Sequence, residues 1–195
     1  VELAISGRNL PDIKLAMQQL GGGEWKGNLI VAPYAAGGAS LAVPKLTFNG
    51  EPGGAWRFNG LARVSGPLPG GMVRGLELPI DGRFDGRILA LYDACQNIRF
   101  DSAKISSLTL RQQTLRLCPD RGKSMLQVGN GGARLATNVS NFAAAGTLGN
   151  APMTANSANV RFSLGEGFTA RDVKITLGET SALTRFDVAM LTGQF

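Results

Sequence analysis

The sequence contains no histidine. Histidine is the most common general base and metal ligand in proteins, and it completes the Ser-His and Cys-His pairs of nucleophilic enzymes. Its absence removes these classes of active site together. We therefore expect a chain that is not an enzyme, with no catalytic residue, no metal and no cofactor.

Long apolar runs are also absent. No stretch approaches the roughly 20 residues that a membrane-spanning helix requires, and no charged, apolar and small-residue leader opens the chain. The sequence begins at Val1, inside an alternation with Leu3 and Ile5, and lacks an initiator Met. We expect these 195 residues to be a piece of a longer protein whose leader or membrane anchor lies in the missing flanks.

The charge is basic but scattered. Lys and Arg exceed Asp and Glu by 20 to 14, which gives a net charge of +6. A nucleic-acid interface normally concentrates its basic residues in one stripe and interleaves them with stacking aromatics. Because the cations occur singly along the chain, we expect no nucleic-acid partner.

Only two cysteines are present, Cys95 and Cys118. A single pair at this separation suits a disulfide between neighbouring strands, and two buried free thiols are the alternative. Closing the intervening loop would disfavour the unfolded state by about 3 kcal/mol in the chain-entropy model. We favour the disulfide, and with it an oxidising compartment.

What the chain does contain is short segments in which apolar and polar residues alternate, separated by Gly, Asn or Asp turns. A period of two gives a strand one apolar and one polar face, and strands that recur every 8 to 15 residues or so are typical of an all-β fold. The 27 glycines are spread evenly. We expect one mainly antiparallel β-sheet over residues 1–195. The alternation is clearest near the end of the chain, where the apolar positions are Val160, Phe162 and Leu164, then Val173, Ile175 and Leu177, then Phe186, Val188 and Met190.

One segment has a credible helical pattern. Residues 9–20 place four apolar side chains at helical spacing, with Asn9 as a cap and Pro11 in the first turn. We expect a short helix here. The alternative is a strand that uses Ile13, Leu15 and Met17.

The apolar strand faces allow two interpretations. They pack against a second sheet in a structural or adhesive β-sandwich, or they line a groove for acyl chains. Residue patterns alone favour the sandwich. A carbohydrate-active enzyme is the least favoured alternative: it would need two of the carboxylates Asp81, Asp85, Asp93 and Asp101 to face each other, but two of them lie in Asp-Gly turns.

Several short motifs resemble one family of proteins. Cys95 is followed by the run Leu115-Arg116-Leu117-Cys118-Pro119, then Gly122 and Met125-Leu126. This pattern is similar to the core of the YdbH-type proteins of Gram-negative envelopes, especially their sphingomonad-like forms. Three further segments are similar to the same family: Leu10-Pro11, Val31-Ala32-Pro33-Tyr34 with Gly37-Gly38, and Thr184-Arg185-Phe186-Asp187 with Gly193.

This resemblance implies membership of the AsmA-like group, which includes TamB. Proteins of that group are periplasmic, anchored in the inner membrane, and built as a long, curved, twisted β-sheet with an apolar concave groove proposed to carry phospholipid toward the outer membrane. The expected partners are therefore phospholipid, an inner-membrane anchor in the missing flanks, and an outer-membrane or lipoprotein partner. No catalytic residues come with the family. We place the groove on the nine alternating apolar positions from Val160 to Met190.

Overall fold

The chain is one antiparallel β-sheet. A computed structural model describes residues 1–68 and 70–194, and within them fourteen strands share a single sheet. The all-β prediction is confirmed. The strands are β1 Glu2–Gly7, β2 Leu10–Gln19, β3 Trp25–Ala36, β4 Ala39–Gly50, β5 Trp56–Leu68, β6 Gly71–Phe84, β7 Leu89–Leu91, β8 Gln96–Ile105, β9 Leu108–Leu117, β10 Leu126–Gly129, β11 Gly132–Leu148, β12 Ala151–Ser163, β13 Gly167–Leu177 and β14 Thr184–Gly193.

The helix expected over residues 9–20 is wrong. The segment forms β2, which pairs with β1 on one side and β3 on the other. Ile13 lies opposite Ile5 and Val31, and Leu15 lies opposite Leu3 and Leu29. Cross-strand apolar pairs of this kind on both flanks outweigh a weak helical propensity. The one helical element described is a single 3₁₀ turn, Gly21–Gly23.

The sheet divides in two between β6 and β11. One end of β6 pairs with β7, which pairs with β10 and then β11. The other end of β6 pairs with β8, which pairs with β9, and β9 reaches β11 through Leu108–Leu110. Both branches therefore begin at β6 and end at β11.

The cysteines form a disulfide where the two branches come together. Cys95 and Cys118 are bonded at the base of the β8–β9 hairpin, which confirms the expected pairing. Cys118 also exchanges backbone hydrogen bonds with Asn138 of β11, each 2.8 Å long. The disulfide thus links the start of β8 to a residue that is held on β11.

No second sheet packs on this one within the described residues. Every pair of strands in more than marginal contact is a hydrogen-bonded neighbour. The accessible surface is 12560 Å², whereas a compact monomer of 20.4 kDa would expose about 8,800 Å². The excess means that one face of the sheet that would normally be covered is open.

Candidate functional site

The two faces of the sheet differ sharply in chemistry. Residues that lie opposite each other on neighbouring strands project from the same face, so the register sorts the side chains. One row of cross-strand partners runs Leu3, Leu15, Leu29 and Leu46 across β1 to β4. We call the face that carries this row the apolar face and its opposite the polar face.

The charged cross-strand rows lie on the polar face. Arg63, Glu77 and Arg99 form one of its rows, and Lys174 lies opposite Asp187 in another. In the described part of the chain, every Lys, Arg, Asp and Glu with a cross-strand partner falls in such a row. An ionised group on the apolar face would have to be desolvated by whatever covers that face, so the arrangement suits an apolar partner.

Most of the predicted groove residues lie on the apolar face. Val173 is opposite Val188, and Ile175 is opposite Phe186. Leu177 follows them in the same phase, opposite Met153. Val160 and Phe162 lie on this face too, where their partners on β13 are Ala170 and Phe168.

Two of the nine predicted residues have different positions. Leu164 lies just beyond the end of β12 and is 54% exposed. Met190 lies opposite Arg171, on the polar face, and the apolar position is taken by Leu191 opposite Ala170. In the sequence, apolar and polar residues alternate evenly along β14. In the structure, the alternation of side chains between the two faces is interrupted, because the neighbouring strand β13 contains the left-handed residue Asp172, whose φ is +51°.

The apolar face is open to solvent, most of all at its edge. On β14 Phe186 is 46% exposed and Val188 is 37% exposed. On the inner strand β13 Val173 is only 6% exposed, because neighbouring side chains shield it within the same layer. Large apolar side chains are thus exposed on several adjacent strands. An ordinary soluble surface exposes such side chains singly, so this contiguous apolar area is unusually large.

No buried polar side-chain atom lacks a partner in the described part of the structure. On the apolar face, the Ser157 hydroxyl donates a 2.6 Å hydrogen bond to the carbonyl oxygen of Arg171, and the Thr137 hydroxyl donates one of 3.2 Å to that of Cys118. These hydroxyls are occupied by the backbone. Ser157 and Thr137 therefore leave no unpaired hydroxyl on this face.

No protein-family model matches this chain, and none of the curated proteins or solved structures matches it either.

Glycines shape the surface of the apolar face. A Cβ at Gly27 would come within 2.4 Å of the Phe48 ring, and one at Gly82 within 2.2 Å of the Leu91 side chain. Phe48 lies opposite Gly27, and Leu91 lies opposite Gly82. Because each glycine has no side chain, the large side chain opposite it can pack flat against the glycine backbone. The surface of the apolar face is therefore even at these two positions.

Gly82→Val should lower the free energy of unfolding by about 2 kcal/mol, because the new side chain must displace Leu91 and press on the Ala90 carbonyl, 2.8 Å from the added Cβ. Urea unfolding measures the change. Gly21→Ala is the control, since no atom lies within 4 Å of an added Cβ there. A loss no larger than that of the control would contradict the packing described above.

On the polar face, a hydrogen-bonded cluster covers the point where the sheet divides. Asp93 pairs with Arg83 and accepts a hydrogen bond from the Ser124 hydroxyl. Asp120 accepts 2.8 Å hydrogen bonds from both Asn138 and Arg161. These carboxylates hold the connecting loops to the strands.

The carboxylates considered for a glycosidase have other partners. Asp85 accepts hydrogen bonds from the backbone N–H groups of Ile88 and Arg87, which lower the pKa of its carboxyl. Asp101 lies against Gly75. Asp81 is near Tyr92, and burial together with this negative charge raises the pKa of the Tyr92 phenol.

The described residues offer neither a metal-binding cluster nor a membrane-spanning helix. No cluster of three potential metal ligands occurs within residues 1–68 and 70–194. None of the described segments forms a helix of the length and hydrophobicity needed to cross a membrane.

Proposed function

We propose that this chain is a non-enzymatic segment of a periplasmic envelope protein that binds phospholipid acyl chains on its apolar face. The observation that carries the proposal is the open single layer, with 12560 Å² of accessible surface and, among residues 1–68 and 70–194, no charged cross-strand row on one side. The resemblance to AsmA-like proteins adds the compartment, an inner-membrane anchor in the parent protein, and delivery toward an outer-membrane or lipoprotein partner.

The hydrophobic energy of burying an acyl chain is of the same size as the cost of association. Burying a methylene contributes about 0.8 kcal/mol, so a dozen methylenes contribute about 10 kcal/mol, which is comparable with the roughly 4–15 kcal/mol cost of association. Eleven strand spacings from β1 to β14 make the face about 50 Å wide. One leaflet of bilayer hydrocarbon is about 15 Å thick, so the face is about three times as wide as one extended acyl chain is long.

Lipid analysis tests the proposal directly. The purified chain is incubated with phosphatidylethanolamine and phosphatidylglycerol vesicles, separated from them by gel filtration, and extracted for mass spectrometry. We expect at least one phospholipid to remain with each chain. Recovery of no lipid, either after purification or after incubation, would refute the proposal.

Matched charge variants locate the binding surface. Ile175→Glu and Val188→Glu place a carboxylate on the apolar face, while Thr176→Glu and Arg185→Glu place one on the polar face of the same two strands. We expect roughly tenfold less retained lipid in the first pair, since a carboxylate in contact with hydrocarbon costs more than 1.4 kcal/mol. Circular dichroism of all four variants checks that each one folds.

The charge variants also address the structural alternative. If all four variants retained equal lipid, the apolar face would not be the binding site. A chain that acquires no lipid but forms a dimer abolished by Val188→Glu would support a structural or adhesive module instead.

A further inference from the structure

Both tryptophans of the chain lie at the same end of the strands. Trp25 is the first residue of β3 and Trp56 is the first residue of β5, while Gly50 ends β4 between them. The register places these three residues and Phe84, the last residue of β6, in one row on the apolar face. We call this row of four residues the aromatic rim.

The next two rows of the apolar face become aliphatic. Successive rows on one face of a strand are about 7 Å apart. The row next to the aromatic rim consists of Gly27, Phe48, Phe58 and Gly82. The row after that consists of Leu29, Leu46, Gly60 and Ile80. The face thus changes from tryptophan to phenylalanine to leucine and isoleucine along the strands.

The two tryptophans are half-buried and keep their polar atoms available. A Cβ at Gly50 would lie 2.8 Å from the Trp56 ring, so this ring covers the glycine. In the described part of the chain, neither indole N–H has a hydrogen-bond partner, and neither indole nitrogen is buried. A packed ring with a free N–H is the arrangement that tryptophan adopts between hydrocarbon and polar headgroups.

Charged residues of both signs lie directly beyond the aromatic rim. The turns at this end of the strands, residues 20–24, 51–55 and 85–88, contain Glu24, Glu51, Asp85 and Arg87. The exposed cations Lys26 and Arg57 follow the two tryptophans in the sequence. A charged headgroup at this end would therefore meet water and polar side chains instead of hydrocarbon.

The opposite ends of the central strands have a different composition. The turns at residues 37–38, 106–107 and 149–150 contain no charged and no aromatic residue. Large aliphatic side chains are exposed at this end, where Leu68 is 37%, Ile105 is 46% and Leu148 is 41% exposed. Only one of the two ends is thus suited to the polar part of a lipid.

We infer that a phospholipid bound over β3 to β6 has a fixed direction, with its headgroup at the aromatic rim and its acyl chains running inward along the strands. The inference rests on the proposed function and adds which end of the sheet receives the headgroup. Charged turns, tryptophans and aliphatic rows follow one another in the order of headgroup, interface and hydrocarbon in a leaflet. Leu29 is four residues from Trp25, about 13 Å along the strand, which is close to the roughly 15 Å of one leaflet of hydrocarbon.

The opposite direction would be unfavourable. It would place the charges of the headgroup on Leu29 and Leu46, where no charged or hydrogen-bonding side chain of the same row can compensate for lost water. In the inferred direction, the N–H groups of Trp25 and Trp56 can donate to the ester carbonyl or phosphate oxygens of the lipid. Their rings then contact the first methylenes of the chains.

The intrinsic fluorescence of the chain tests this direction, because its only two tryptophans lie in the aromatic rim. The chain is loaded with phosphatidylethanolamine whose acyl chains are brominated either near the carboxyl end or near the methyl end, and is then separated from the vesicles. Bromine quenches indole fluorescence only at close range. We expect several-fold stronger quenching by bromine near the carboxyl end. Equal quenching, or stronger quenching from the methyl end, would overturn the inference.

Moving the fluorophore inward provides the matched control. Trp25→Phe and Trp56→Phe remove the native indoles, and Leu29→Trp in the same chain places a single indole two rows inward on the same face. Leu46→Trp, in the row of Leu29, serves if the first variant does not fold by circular dichroism. Bromine near the methyl end should now quench more strongly. If bromine near the carboxyl end still quenched more, the acyl chains would not run inward from the aromatic rim.

The same samples separate this inference from the proposed function. A chain that retains brominated lipid but is quenched equally from both positions would keep the proposed function and overturn the fixed direction of the lipid. A chain that retains no lipid would refute the proposed function, and the inferred direction with it.

Discussion

Replacing both Cys95 and Cys118 by Ala will lower the free energy of unfolding by about 3 kcal/mol. The disulfide closes a loop with a sequence separation of 23, and chain-entropy arguments give roughly this value for such a loop. Urea unfolding of the variant, beside the unaltered protein with and without a thiol reductant, measures the loss. The reduced protein should unfold at the same denaturant concentration as the double variant.

The place of the disulfide in the sheet explains why its loss should matter. β9 meets β11 through only three residue pairs at one end, Leu108–Leu110 with Gly146–Leu148. The other end of the hairpin is held by Cys118 and its backbone hydrogen bonds to Asn138. If neither reduction nor substitution moved the unfolding curve, the disulfide would not be holding the start of β8 to β11.

Phe100→Ala will cost about 3 kcal/mol of stability. Phe100 is 9% exposed and forms a cluster with Val73 and Ala103, against which Leu110 and Leu115 pack. Removing a buried aromatic ring costs about 3–5 kcal/mol in a closed core. A single layer relaxes more easily around the space left behind, so we expect the lower end of that range.

Ile105→Ala on the same strand is the matched control. Ile105 is 46% exposed, so its substitution should cost less than about 1 kcal/mol. Thermal and urea unfolding of both variants give the comparison. If both substitutions lowered the free energy of unfolding equally, the cluster around Phe100 would contribute no more to stability than the exposed Ile105 side chain.

The sequence was a reliable guide wherever period-two alternation was long. It predicted an all-β antiparallel chain and the pairing of the two cysteines. It failed for β2, because Ile13 and Met17 fit both a helix and a strand, and pairing with β1 and β3 decided between them.

The groove residues could be predicted only in part. Val173 and Val188 follow from alternation alone. Alternation could not predict that Leu191, rather than Met190, lies on the apolar face. This depends on a positive φ at Asp172 in the neighbouring strand, and an aspartate in a single sequence gives no clear sign of such a conformation. The division of the sheet at β6 was equally hidden, since strand order depends on contacts far apart in the chain.

Building the fold from one layer changes how it scales with size. In an ordinary globular domain, each added residue enlarges an enclosed interior, so the proportion of surface left in water declines as the chain grows. Here β1 and β14 each pair on one side only, and adding a strand would widen the apolar face by about 4.8 Å without enclosing anything. The area of the apolar face would rise in direct proportion to chain length.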